Sequence, residues 1–340
     1  MKFLPFSPSP RAASPSPLAI LLLVLALGAC RSTPPALHPG DPHPRLGDEI
    51  MVCGQLFHTG TRVVLWTDPG GYDAYRLDLR FPAETAARKK KPEGARYGSL
   101  RRSLPESLKA KAISNRLSVS DLAEQVQQFV LHYDVCGTSR QCFKVLQDMR
   151  GLSVHFMLDV DGTIYQTLDL KERAWHAGKA NDRSVGVEIA HIGAYPAPDH
   201  KVLASWYPGA EGQKRIRFPE WMKETGIRGP GPYRPARKEL LHGNIQGREL
   251  WQYDFTQAQY RALAHLLATL NRVLPGIRLD YPRDKDGKLL TKALSPKALQ
   301  TYKGVLGHFH VTTRKTDPGP AMNWDRLLRE ARALRFGTCP

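Results

Sequence analysis

Four places in the chain carry residues that do chemistry. His132 closes the apolar run Phe129-Val130-Leu131, and Glu188 stands inside the otherwise apolar run from Ser184 to Ala190. Gly307-His308 follows Val305-Leu306, and Lys315-Thr316-Asp317-Pro318-Gly319-Pro320 comes shortly after. A histidine at a strand end is more often a satisfied structural residue than a ligand. A carboxylate in a buried-type strand is different, because burying an unpaired charge is expensive, so Glu188 calls for a cation, a metal or a catalytic task. Two histidines and a carboxylate are what a catalytic zinc uses, with its fourth position left for water. Asp317 lies nine residues after His308, so a loop can return it to the same ion.

Elements that position these residues are legible around them. Phe129–Leu131, Val154–Leu158, Thr163–Thr167 and Ser184–Ala190 read as strands, the second and third joined by a turn at Asp159-Val160-Asp161-Gly162. Residues 256–270 place Tyr260, Leu263, Ala264, Leu267 and Leu270 at helical spacing, and Ser118-x-x-Asp121 opens a helix over 118–127. Residues 50–66 read as a hairpin split at His58-Thr59-Gly60-Thr61. The basic stretch over 82–105 reads as a solvated loop. Residues 195–250 hold many Pro and Gly residues with little periodicity and read as a long, loop-like insertion, which in a compact domain is usually functional.

The N-terminus speaks to the compartment. Leu18–Leu27 is almost wholly Leu, Ala, Ile and Val, preceded by Lys2 and Arg11, and is short for a membrane span. It ends in Leu27-Gly28-Ala29-Cys30, which resembles the bacterial lipobox, where cleavage leaves a lipidated cysteine. Residues 1–29 are therefore expected to be a signal peptide and Cys30 a membrane anchor. Arg31, where an inner-membrane retention signal would carry Asp, favours the outer membrane, with the protein facing the periplasm. Residues 30–48, with Pro-rich 31–46, read as a tether. Expected beyond it are an N-terminal extension over 49–124 packed on a catalytic domain over 125–330, and a tail over 331–340.

The formal charge of +17 drops to +15 without Lys2 and Arg11, enough to attract a carboxylate-rich wall or anionic lipid. No nucleic-acid-binding signature is present, and export argues against such a partner. With Cys30 lipidated, four cysteines remain in an oxidising compartment. Cys136 and Cys142 are close enough to bridge a short loop, and elimination leaves Cys53 with Cys339.

In order, FVLHYD (129–134), VHFMLDVDGTIYQ (154–166), RAWHAG (173–178), NDRSVGVEI (181–189) and Gly307-His308 followed by RKTDPGPAMNW (314–324) resemble the zinc N-acetylmuramoyl-L-alanine amidases of the AmpD type, whose fold includes the peptidoglycan recognition proteins. The resemblance covers about 125–194 and 254–328. It implies an α/β fold with a mixed central sheet flanked by helices. It implies zinc on His132, His308 and Asp317, with Glu188 as general base for the attacking water and Lys315 steadying the oxyanion. Trp175, His176, Ala177 and Asn181 would belong to the substrate groove, with Trp175 stacking on a sugar or simply packing. Cys136 and Cys142 resemble the disulfide loop after the first ligand in peptidoglycan recognition proteins. The implied reaction is hydrolysis of the amide between N-acetylmuramic acid and L-alanine, in peptidoglycan or muropeptides, by a monomer. Two readings compete: a wall-binding module that does not cut, and a zinc amidase or peptidase for another amide, its groove reshaped by Trp206, Tyr207 and Trp221. His310 is a rival ligand, because the family's Gly-His turn is commonly followed by a residue and an Asp, whereas here it reads His308-Phe309-His310.

Overall fold

Strands buried on nearly every residue need cover on both faces, and that requirement organises the fold. The computed structural model describes residues 37–86 and 92–337; Cys30, the signal segment and Cys339 lie outside the described residues. Its strands are β1 (Glu49–Val52), β2 (Gln55–His58), β3 (Val63–Leu65), β4 (Tyr97–Gly98), β5 (Gln128–Tyr133), β6 (Phe156–Leu158), β7 (Ile164–Gln166), β8 (Arg173–Ala174), β9 (Ser184–Ile189), β10 (Leu241–Ile245), β11 (Arg248–Gln252) and β12 (Gly304–Gly307). Six of them make a mixed sheet in the order β12-β5-β9-β6-β7-β3. Its first four strands run parallel, β7 is antiparallel to β6, and β3 is parallel to β7.

Side chains alternate across that sheet with the period of two that pleating imposes. Phe129, Leu131, Phe156, Leu158, Val185, Val187 and Ile189 face one large apolar cluster. It is completed by α5 (Gln257–Val273) and α8 (Trp324–Phe336), which pack together. The intervening residues Val130, Met157 and Leu306 face two smaller clusters on the opposite side. His132 and Glu188 share the parity of that second face, and strand register pairs them side by side on β5 and β9. Helices supporting it are α3 (Ser139–Phe143), continued by a wider turn over Lys144–Arg150, then α6 (Pro296–Thr301) and α7 (His308–Val311). Among the described residues no helix is long and apolar enough to cross a membrane.

Local chemistry explains where elements begin. Ser118 and Asp121 form a reciprocal capping box ahead of α2 (Val119–Gln125), as Thr256 and Gln259 do ahead of α5. The hairpin expected to turn at His58–Thr61 instead joins β1 and β2 through Cys53-Gly54, both at positive φ, a pairing that suits a two-residue turn. The second apolar run then leaves the hairpin and becomes β3 at the edge of the main sheet. The insertion is less irregular than its Pro and Gly content implies: it holds α4 (Lys201–Trp206) and the β10–β11 hairpin, turned by Gln246-Gly247. The expected boundary at 330/331 falls inside α8, where Trp324, Leu327, Leu328 and Ala331 form one buried stripe that ends at left-handed Gly337. Ahead of α2, Glu106–Ile113 forms α1, which the basic composition of its surroundings conceals.

Candidate metal centre

The C-terminal end of β5 delivers His132, and the end of β12 runs directly into α7, whose first residue is His308. The loop after α7 brings back Asp317. The Phe309 amide donates to the Asp317 carbonyl (3.1 Å), and the Tyr133 and Thr316 hydroxyls meet at 2.8 Å. Gln252, fully buried at the end of β11, donates to the Pro318 carbonyl (3.1 Å) and accepts from the Ala321 amide (3.0 Å). Gly319 passes so close, at φ +82°, that a Cβ would sit 2.1 Å from the Gln252 Oε1; no other residue fits there.

His132 Nδ1, His308 Nδ1 and Asp317 Oδ2 form a triangle with all three edges at 3.0 Å. Three lone-pair donors converging on one point cannot all be served by a shared proton. A tetrahedral zinc with bonds of about 2.0–2.1 Å has ligand atoms about 3.3 Å apart, so two imidazoles and a carboxylate at this spacing fit such an ion. Burial, then the neighbouring His308, lower the His132 pKa to about 4, which keeps its lone pair free for a metal. Burial alone would raise Asp317, yet the two imidazoles beside it hold its carboxyl well below the ordinary range.

The triangle opens on a cavity of about 820 Å³. Glu188 lines it beside His132, its pKa pushed well above the ordinary value by burial and then by the nearby Asp317 and Asp134, with Lys315 and Arg150 pulling the other way. Lys315 lines the rim and is exposed. One wall comes from the insertion, through Tyr195, Val202, Trp206, Pro219 and Trp221. Tyr207 is not part of it: it is buried, its hydroxyl at 3.1 Å from His191. A second cavity of about 560 Å³ lies on the other side of His308 and Lys315, with Lys179 and Arg314 along it.

Other residues singled out from sequence have different surroundings from those expected. His310 is no ligand: its Nδ1 accepts from the Gly307 amide (2.9 Å) and its Nε2 donates to the Leu290 carbonyl (2.7 Å), which uses both nitrogens. Asn181 lines neither cavity; its Oδ1 accepts from the His176 and Ala177 amides (3.3 and 2.7 Å) and shapes their loop. Ala177 packs against Val130 and Leu306 in the apolar cluster and also lines the second cavity. Trp175 lines neither cavity. His176 does reach the site, its Nδ1 3.0 Å from His132 Nε2. Cys136 and Cys142 are free thiols facing one another across a hydrogen bond at the cavity wall. Cys53, its pKa pushed up to about 12 chiefly by burial, sits 3.5 Å from the Ser118 carbonyl. Gln252 was not readable as a site residue, since it acts on the backbone of a loop and lies in no motif; Tyr133 lies in FVLHYD, but nothing there shows that its hydroxyl meets Thr316.

A mixed sheet thus carries, where its parallel strands end, a two-histidine, one-carboxylate cluster able to hold a metal ion. Residues 122–320 match the N-acetylmuramoyl-L-alanine amidase family, and the chain belongs to it. No curated protein matches the chain. Solved structures similar to it include a selenomethionine derivative of AmpD, with 19% identity over 62% of this chain and 86% of that one, at a TM-score of 0.29. AmiD from E. coli, in complex with anhydro-N-acetylmuramic acid-L-Ala-D-gamma-Glu-L-Lys, shares 18% identity over 61% of this chain and 57% of that one, at a TM-score of 0.35. The endolysin LysCS from Clostridium intestinale shares 11% identity over 62% and 85%, at a TM-score of 0.29.

Proposed function

We propose that this amidase cleaves the bond between N-acetylmuramic acid and L-alanine in peptidoglycan or its muropeptides, with His132, His308 and Asp317 holding a zinc ion. The observation that carries this reading is the 3.0 Å triangle with Glu188 in register beside it, at the wall of a substrate-sized cavity. Zinc held there would acidify a water and polarise the scissile carbonyl. Glu188 takes the proton of the attacking water and passes it to the departing L-alanine nitrogen, a task suited to a carboxyl whose proton affinity burial has raised. Lys315, at the rim shared by both cavities, places its ammonium near the oxygen that gains charge as the carbonyl carbon becomes tetrahedral. The amine leaves with Glu188's proton, and the muramyl carboxylate remains.

Incubating the purified protein with intact sacculi and with soluble muropeptides, and identifying the products by mass spectrometry, tests the reading. Release of free peptide, stopped by a chelator and restored by zinc, is the expected result. Zinc-loaded protein that releases peptide from neither substrate overturns it. A wall-binding module would bind sacculi equally well as wild type and as Glu188→Ala and turn over neither. The reading also includes a bridge between Cys136 and Cys142, export on residues 1–29, lipid on Cys30 and residence at the outer membrane facing the periplasm. Cys53 and Cys339 would form the second bridge. Four of these features are checked by the mass of the mature N-terminus and by non-reducing peptide mapping, and residence by membrane fractionation. Because one chain supplies the whole site, the working unit is a monomer.

A further inference from the structure

Arg101 belongs to the N-terminal segment that precedes the family match, yet it is 1% exposed. Among the described residues no carboxylate pairs with its guanidinium. Its Nη1 donates to the carbonyls of Asn181 (3.0 Å), Asp182 (3.4 Å) and Ser184 (2.9 Å), and its Nη2 to those of Leu170 (2.8 Å) and Glu172 (2.9 Å). Residues 170–172 and 181–184 are the two feet of one loop, and that loop carries His176. The same segment grips the loop twice more: β4 pairs with β8 at its entry, and the Arg102 amide donates to Asp182 Oδ1 (2.6 Å). Burying a cation without an anion is costly, and five carbonyl acceptors in a fixed fork are the arrangement that offsets the cost.

His176 links that loop to the metal ligands. With His132 presenting Nδ1 to the ligand triangle, its Nε2 carries the hydrogen and donates to His176 Nδ1 (3.0 Å). His176 Nε2 then donates to Ser184 Oγ (3.2 Å). His176 also lies against Gly186, where a Cβ would come within 2.4 Å of the ring, so the imidazole is seated on bare backbone of β9. Ligating histidines depend on the acceptor behind them for orientation and basicity, and losing such an acceptor typically costs 10–100-fold in metal affinity.

We propose that Arg101 is a positioning residue for the metal centre: by clamping both feet of the 173–183 loop it holds His176 against His132, so that the segment outside the family match helps to set metal affinity. The proposal rests on the reading of His132, His308 and Asp317 as ligands. It is tested by chelator-competition titrations with zinc and by the visible absorption of the cobalt-loaded protein, comparing wild type, His176→Ala, Arg101→Ala and the double variant. His176→Ala and Arg101→Ala should each weaken zinc binding about 10–100-fold and shift the cobalt band. The double variant should lose little more than either alone, because both remove the same support. Arg101→Lys keeps the charge but not the fork; it should fall with Arg101→Ala, and it replaces that variant in the cycle if the latter does not fold. Losses that add in the double variant, or His176→Ala binding zinc as wild type does, overturn the proposal. Wild-type protein that takes up neither zinc nor cobalt overturns the ligand reading instead.

Discussion

His308 and His310 sit two residues apart in one short helix, both buried, and differ in what their nitrogens meet. Those of His310 are taken by a backbone amide and a carbonyl, and His155 is satisfied in the same way by the Gly186 amide and the Glu172 carbonyl. His308 instead aims Nδ1 at another imidazole and a carboxylate. The buried aspartates divide likewise. Asp317 is held ionised by two histidines, whereas Asp159, whose oxygens accept from the Val160 and Ser139 amides, is pushed up to about 8, chiefly by burial. Backbone partners satisfy a buried group and end its chemistry, while side-chain donors converging on one point leave room for an ion.

Removing a member of the converging set should have the largest effect. His308→Ala is expected to abolish zinc uptake and bring amide hydrolysis below detection while the fold survives, checked by metal stoichiometry, product assay and circular dichroism. Next, Glu188→Gln should keep zinc and wall binding but lower kcat by about 10²–10⁴-fold, the usual worth of a positioned general base; a smaller loss would move the base elsewhere. His310→Ala should do the reverse, retaining zinc but losing about 1–3 kcal/mol of stability in urea unfolding as buried backbone groups lose partners.

The smallest effect concerns pH. Asp159 is protonated when folded and ionised when unfolded near neutrality, so its contribution is full below about pH 4 and is lost as pH rises through about 8. His191, lowered to about 4 by burial, contributes in the opposite sense: its share is present above about pH 6.5 and lost as pH falls. Between about pH 6.5 and 8 the histidine's slope is gone, and Asp159 shares the remaining one with Asp134 and Glu172, each pushed up to about 7 chiefly by burial, and with the raised Glu188. Melting temperature should fall by a few degrees over that window in wild type, and Asp159→Asn should lessen the fall without removing it.

The sheet and the ligands were legible because each stood out against its neighbours. Glu188 was a single charge in an apolar strand, and His132 and His308 each ended one; parity and register then placed the first two together. What stayed hidden was work done on backbone. Arg101 lies in a basic, aperiodic stretch and binds carbonyls, which leave no trace in residue types. Gln252 grips a loop carbonyl, Asn181 two loop amides, and no spacing rule announces either. The α8 helix was cut short because its charged residues mask the stripe of Trp324, Leu327, Leu328 and Ala331. His310 drew notice because it stands where the family's turn commonly carries an Asp, and nothing in the sequence shows that two backbone groups have already claimed it.

Strand β3 has a consequence for solubility. It hydrogen-bonds along β7 and so covers the flank of the main sheet with three residues that come from far upstream in the chain. A protein trimmed to the family-matched span would present β7's unpaired amides and carbonyls to any passing strand. Such a fragment could keep every metal ligand and still be lost to aggregation, so the shortest soluble form of this enzyme should begin before Val63.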